Sequence, residues 1–330
     1  MKALRGLGFI VFFCLVAAGL LRVPRSALAA AQEAAAAQDQ DTVPQSGAAI
    51  RANVGLVNLY VTVRNKQHQL ITDLIQSDFK IYEDGVEQQV AFFSKETDLP
   101  ITLGMLLDTS GSETNMLPAI QDNAEKFLRR VLRKGDLAMV LNFDVDINLD
   151  ADFTDDLEVL DRAISRQTIN APSGTGPFSA TLSGGTHFYD AVYLACHDKL
   201  ADEAGRKAVV AITDAMDEGS QLKYQDAIEA AQRTDTVVHV LLVYDPMEGN
   251  AYDIAKRISD ETGGRTIPVR GTHNIDQAFD ELSEELRSQY AIGYYPTNTK
   301  RDGTYRKIKV EIQQPDMTAL TRKGYYAPQD

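Results

Sequence analysis

Apolar and polar positions alternate from Val54 onward, with Val57, Leu59, Val61 and Val63 on one face. A period of two residues predicts a half-buried strand. Segments 78–83 and 90–93 continue the alternation, and Asp84-Gly85 between them has the chemistry of a hairpin turn. Residues 51–98 therefore read as an antiparallel unit of roughly three strands. At Leu99-Pro100 the pattern changes. Apolar runs at 101–107, 137–143, 208–213, 237–244 and 265–269 then alternate with helical spacing at 117–133, 157–164, 188–200, 224–233, 251–262 and 275–288. The run 147–153 reads as a hairpin partner of 137–143. Such alternation predicts an α/β fold over 99–288, a doubly wound and mostly parallel sheet. Right-handed crossovers gather the carboxyl ends of its strands on one edge.

After Gln289 the two-residue period returns at 290–295 and 305–312, where Tyr305, Lys307, Lys309 and Glu311 oppose Arg306, Ile308, Val310 and Ile312. Segment 320–326 reads as one further strand. Antiparallel β elements thus flank the α/β region on both sides. Packing 51–98 against 289–330 as one β-sandwich, with the α/β domain inserted, is the economical arrangement, because domain termini lie close together.

The first residues modify this picture. Lys2 and Arg5 precede an apolar run from Leu7 to Leu21, and Ala27-Leu28-Ala29 follows as a cleavage candidate. Residues 1–29 read as a secretory signal peptide, with an uncleaved N-terminal anchor as the alternative. Residues 30–50, rich in Ala and Gln, read as a disordered linker. The expected location is periplasmic or extracellular. Removing 1–29 takes away Lys2, Arg5, Arg22 and Arg25 and no acid, so the net charge goes from −14 to −18. That balance argues against nucleic acid and anionic membrane surfaces as partners and favours cations. Only Cys196 remains beside the Cys14 of the signal, so no intramolecular disulfide forms in the mature chain.

Candidate chemistry concentrates where strand 101–107 ends. Asp108-x-Ser110-x-Ser112 places one carboxylate and two hydroxyls on the same side of a tight turn, at the edge where open α/β sheets bind ligands. These are hard oxygen donors, suited to Mg²⁺ or Mn²⁺ rather than zinc. Thr186 follows Gly184-Gly185 at the start of a helix and precedes Tyr189-Asp190-Ala191, and Asp214 ends the strand Ala211-Ile212-Thr213. Together these residues resemble the von Willebrand factor type A family, and the layout over 54–326 resembles its bacterial von Willebrand factor A-related branch. The resemblance implies a metal-ion-dependent adhesion site. In it Ser110, Ser112 and Thr186 ligate directly, and Asp108 and Asp214 act directly or through water. It also implies a non-enzymatic binding protein whose metal keeps one open position for a Glu or Asp carboxylate of a protein partner. Two departures stand out. Ala215 occupies a position where the family usually has Gly, and Glu113 adds a carboxylate beside Ser112 that competes for the metal or tightens its binding.

Other features read blandly. Asp144, Asp146, Asn148, Asp150 and Asp152 have EF-hand-like spacing but Leu149 where that loop needs Gly, so they read as a solvated hairpin face. His187, Cys196 and His197 lack metal-ligand spacing. Cys196 reads as a buried small hydrophobe, His239 as a hydrogen-bonded core residue, and Tyr290, Tyr294, Tyr295, Tyr305, Tyr325 and Tyr326 as sandwich packing. Nucleophile-elbow, Walker and zinc-protease motifs are absent. The competing readings are a scaffold with a vestigial metal site and, behind it, a metal-dependent hydrolase.

Overall fold

A computed structural model of the chain describes residues 55–95, 99–169, 185–243, 251–272 and 274–329. The expected signal peptide, the linker 30–50 and most of the Gly-rich loop 171–186 lie outside the described residues. Among the described residues, no helix is long and apolar enough to cross a membrane.

The centre of the molecule is strand β5 (Ile101–Asp108), buried along its whole length. It lies in a six-stranded sheet between β6 (Leu137–Phe143) and β8 (Arg206–Thr213), and both neighbours run parallel to it. The sheet continues through β9 (Thr236–Val243) to β10 (Thr266–Val269) on one side. On the other side β7 (Ile147–Thr154) pairs antiparallel with β6, as the hairpin reading expected. Every second residue of β5 faces one layer of helices, which is why the strand is apolar throughout rather than alternating. Leu103, Met105 and Leu107 pack with Ile120, Phe127 and Leu128 of α1 (Leu117–Val131), Leu160 of α2 (Leu157–Ser165), and Phe279 and Leu282 of α6 (Ile275–Arg287). Leu106 faces Phe188 and Val192 of α3 (Phe188–Leu194), Ile228 of α4 (Tyr224–Arg233) and Ile258 of α5 (Ala251–Thr262). Helix α3 runs on into a π turn at Ala195–Lys199, closed by the Leu200 N–H donating to Ala195 O.

The flanking strands do form one sandwich. Strand β11 (Tyr290–Tyr294) inserts between β1 (Val57–Asn65) and β4 (Val90–Ser94), with β13 (Met317–Leu320) on the far side of β1. Opposite lies the sheet β14-β12-β2-β3, formed by β14 (Gly324–Tyr326), β12 (Tyr305–Ile312), β2 (Phe79–Glu83) and β3 (Val86–Gln88). Leu59, Val61, Ile81, Tyr290, Ile292 and Ile308 fill the space between them.

Several expectations need correction. Asp84-Gly85 joins β2 to the extra short strand β3 rather than to β4, so the N-terminal flank has four strands and crosses between sheets. Segment 320–326 is not one strand: β13 pairs with β1, and β14 pairs with β12 in the other sheet. Tyr290, Tyr294 and Tyr325 are buried, whereas Tyr295 and Tyr305 are exposed. The buried hydroxyls of Tyr294 and Tyr325 both donate to Glu83 Oε2, at 2.8 and 3.0 Å.

Polar contacts fasten the sandwich to the α/β part. Arg64 of β1 donates to Glu285 of α6 at 2.8 Å, and Arg265 lies 3.5 Å from the same carboxylate. Arg206 at the start of β8 reaches Gln289 Oε1 at 2.5 Å. His239, in β9 behind this cluster, is fully buried, but neither ring nitrogen has a hydrogen-bond partner among the described residues. Its expected hydrogen bond is missing because β9 turns the ring into a packed layer. Burial pushes its pKa down to about 4, the Glu285 carboxylate partly opposing the shift.

Candidate metal centre

Strand order reverses at β5: β6 continues the sheet on one side and β8 on the other. Ligands of open α/β sheets bind at such a switch point, outside the carboxyl ends of the strands. Asp108 is the last residue of β5, and Asp214 follows the last residue of β8. The Thr213 hydroxyl donates across the gap to Asp108 Oδ2 at 2.5 Å, and the Ser110 N–H donates to Asp108 Oδ1 at 2.9 Å. Thr109 points the other way, with its hydroxyl on Asp144 Oδ2 at 3.0 Å. The turn thus keeps Asp108 and Ser110 on the ligand side, and Ser110 Oγ and Ser112 Oγ are 3.0 Å apart.

Three carboxylates meet here. One oxygen each from Asp108, Glu113 and Asp214 lies within 4.8 Å of the others. The acid group of Asp108, 1% exposed, has its pKa raised from 3.8 to about 6. Burial is the main cause, hydrogen bonds from Ser110 and Thr213 oppose it, and the charge of Asp214 adds to it. Among the described residues, neither Asp108 nor Asp214 forms an ion pair with a lysine or arginine. Asp108 and Asp214, gathered in low dielectric beside two hydroxyls and, among the described residues, no histidine or cysteine of the cluster, fit a hard divalent cation.

Thr186 is brought to the same edge by its backbone. It exchanges hydrogen bonds with Glu218, four residues beyond Asp214, at 3.0 and 2.9 Å. The approach requires glycine at 185, where a Cβ would sit 2.6 Å from Glu218 O. Asp190 then accepts the N–H groups of Gln221 and Leu222 at 2.9 Å each, and Asp217 accepts the Tyr189 N–H at 3.1 Å. These bonds stitch the start of α3 to the loop after β8. The residue after Asp214 takes the conformation its position demands rather than the one its side chain prefers: Ala215 has φ +58, a left-handed conformation that favours glycine.

The sequence reading missed two contributors and the depth of a third. Glu113 was expected to compete for the metal or tighten its binding, but nothing in its neighbours marked it as fully buried. Asp144 was grouped with an exposed strand face, yet it is buried and holds the loops through Thr109, the Asp146 N–H and the His187 N–H. Asp217 carried no signal beyond being an acid near Asp214. The remaining acids of that run follow expectation: Asn148 and Asp150 meet Asn142 on the exposed edge, and Asp152 pairs with Lys199 at 2.7 Å. Cys196 is buried, which pushes its thiol pKa up to about 12. His197 pairs with Asp198 and stacks on Tyr193, away from any metal-ligand group.

No protein-family model matches the chain, and no curated protein matches it. Solved structures do. Proximal thread matrix protein 1 from the mussel byssus is 12% identical with a TM-score of 0.50, over 62% of this chain and 51% of that one. The same protein has also been solved with a zinc-occupied MIDAS motif. A von Willebrand factor type A protein from Catenulispora acidiphila is 11% identical with a TM-score of 0.47, over 84% of this chain and 75% of that one. The conserved hypothetical protein BatB from Bacteroides thetaiotaomicron is 18% identical with a TM-score of 0.45, over 56% of this chain and 97% of that one. With its switch-point loops and its parallel sheet closed by one antiparallel edge strand, this chain carries a domain of the von Willebrand factor type A fold.

Proposed function

We propose that this is an exported binding protein whose α/β domain holds Mg²⁺ or Mn²⁺ on its carboxyl edge and uses it to capture an acidic side chain of a protein partner. The observation that carries the reading is the meeting of Asp108 and Asp214 with the paired hydroxyls of Ser110 and Ser112 at the switch point. Asp108, Ser110, Ser112, Thr186 and Asp214 are the residues that would hold the ion. When bound, the ion supplies an electrophilic position for a carboxylate. The chain's own contribution is placement. Thr213 and the Ser110 N–H fix the Asp108 carboxylate, and the Glu218 bridge fixes Thr186. An extracytoplasmic setting follows from the signal read in residues 1–29. Catalysis has no part in this reading.

The test is thermal unfolding of the purified protein with and without millimolar Mg²⁺ or Mn²⁺, beside Asp108→Ala. A ligand that binds only the folded state stabilises it by about 2.7 kcal/mol at one hundred times its Kd. A rise in Tm in wild type that the variant lacks supports the site. No rise in wild type moves the function to a scaffold that makes its contacts through the sandwich.

A further inference from the structure

Glu113 is the third carboxylate of the cluster. The turn Gly111–Asn115 is a 3₁₀ segment, with the Glu113 N–H donating to Ser110 O at 3.1 Å and the Met116 N–H to Glu113 O at 2.9 Å. With three residues per turn, side chains at i and i+3 fall on one side. Ser110 and Glu113 therefore share a side, while Ser112, Thr114 and Asn115 are exposed. The result is a carboxylate of 0% exposure, one oxygen of which lies within 4.8 Å of oxygens from both Asp108 and Asp214. One ion can bridge oxygens separated by up to twice its metal–oxygen distance, about 4.2 Å for Mg²⁺ and about 4.8 Å for Ca²⁺. The three carboxylates lie within the span of one Ca²⁺ sphere, and to close on Mg²⁺ they need draw together by no more than about 0.6 Å.

Resting on the metal reading above, we propose that Glu113 is a ligand from within the chain that takes the coordination position a partner's carboxylate would otherwise fill. The reason is charge. Two carboxylates just neutralise a divalent ion, and neutral hydroxyls complete the sphere. A third carboxylate over-neutralises it, so a fourth, arriving from a partner, meets net repulsion rather than attraction. Capture of a partner then requires Glu113 to withdraw. The element that must move is the 3₁₀ turn carrying it: Thr114 and Asn115 of that turn are in solvent, and Ser112, 3.0 Å from Ser110 Oγ, has to stay in place as Glu113 leaves. The site is closed by its own chain at rest and opens by exchanging one carboxylate for another. Selectivity follows: a partner must offer more than a carboxylate, since an isolated one gains nothing over Glu113.

The test uses the purified protein with Mn²⁺ as the probe. The electron paramagnetic resonance signal of free Mn²⁺ gives the affinity, and the water-proton relaxation rate at saturation reports the water left on the bound ion. Glu113→Gln should weaken Mn²⁺ binding at least about tenfold, the loss that even an outer-sphere partner of a metal site carries. Both Glu113→Gln and Glu113→Asp should raise the relaxation per bound ion, by roughly half or more, as water enters the vacated position. Glu113→Asp keeps the charge and draws the carboxylate back by one methylene, so it serves if the Gln variant does not fold. If affinity or relaxation stays at the wild-type value in both variants, Glu113 is not a ligand and this inference falls while the metal reading stands. If Mn²⁺ binds Asp108→Ala as well as wild type, or binds neither, the metal reading falls and takes this inference with it.

Discussion

Asp108→Asn separates the cost of the metal-free site from the rest of the fold. The Asp108 carboxyl has its pKa raised from 3.8 to about 6, chiefly by burial. A raised carboxyl binds its proton more tightly in the folded than in the unfolded chain. Metal-free stability therefore falls as pH rises from about 4 to about 6, by about 3 kcal/mol in total, and stays lower above that. His239 acts in the opposite sense. Its pKa is pushed down from 6.5 to about 4 by burial, so the unfolded chain takes up a proton first as pH falls. That costs about 3 kcal/mol of stability between pH 6.5 and 4. The two slopes nearly cancel in wild type, and a raw pH profile would hide both. The difference between wild type and Asp108→Asn removes the histidine and isolates the carboxylate. Measured by urea unfolding in EDTA, the variant should gain on wild type by about 3 kcal/mol between pH 4 and pH 7, whatever constant offset its altered hydrogen bonds impose. Mn²⁺ at pH 7 should then stabilise wild type and leave the variant unchanged. A difference that stays flat from pH 4 to 7 would refute the claim that Asp108 is ionised at a cost which the cation repays.

Two further substitutions probe the supports of the site. Glu285→Ala leaves Arg64 buried at the sandwich junction without its carboxylate, while Arg265 keeps Glu281 at 2.6 Å. Breaking a buried ion pair in this way costs about 3–5 kcal/mol, or a fall in Tm of roughly 6–10 °C for a chain of this size, and a fall below about 2 °C would refute the junction's importance. Gly185→Ala forces a Cβ against Glu218 O, so calorimetry should show about 1–3 kcal/mol of destabilisation and a smaller Mn²⁺-induced rise in Tm. An unchanged Tm would show that the Thr186–Glu218 bridge gives way freely.

What the sequence revealed and concealed follows from the range of the forces involved. Strands β5, β8 and β9 were legible because burial on both faces writes an unbroken apolar run into each. Helices α1 to α6 were legible because each has one buried face. The convergence of Asp108 with Asp214 followed from topology alone, since parallel strands must end on one edge. The short strands β3, β13 and β14 were not legible, because three or four residues carry too little periodicity to separate a strand from a turn. Which sheet they join is decided by distant partners: β13 follows β1, and β14 follows β12. Asp144 looked like its exposed neighbours because its partners, Thr109 and His187, are remote in sequence.

The burial of Glu113 was concealed for a local reason, and that reason bears on function. The Asp108–Ser110–Ser112 pattern is written with a period of two, as an extended turn would need. The chain passes at Gly111 into a period of three. A residue that the first period sends outward is turned inward by the second, so one backbone transition decides whether the cluster contains two carboxylates or three. Short 3₁₀ segments have strained hydrogen-bond geometry and rarely extend beyond a few residues. A change of this turn back to extended backbone would swing Glu113 out without disturbing β5, whose pairing ends at Leu107 with β8 and at Asp108 with β6, the Thr109 N–H adding one bond to Phe143 O ahead of the turn. The element that closes the site is thus a single short turn outside the sheet, as a displaceable ligand requires.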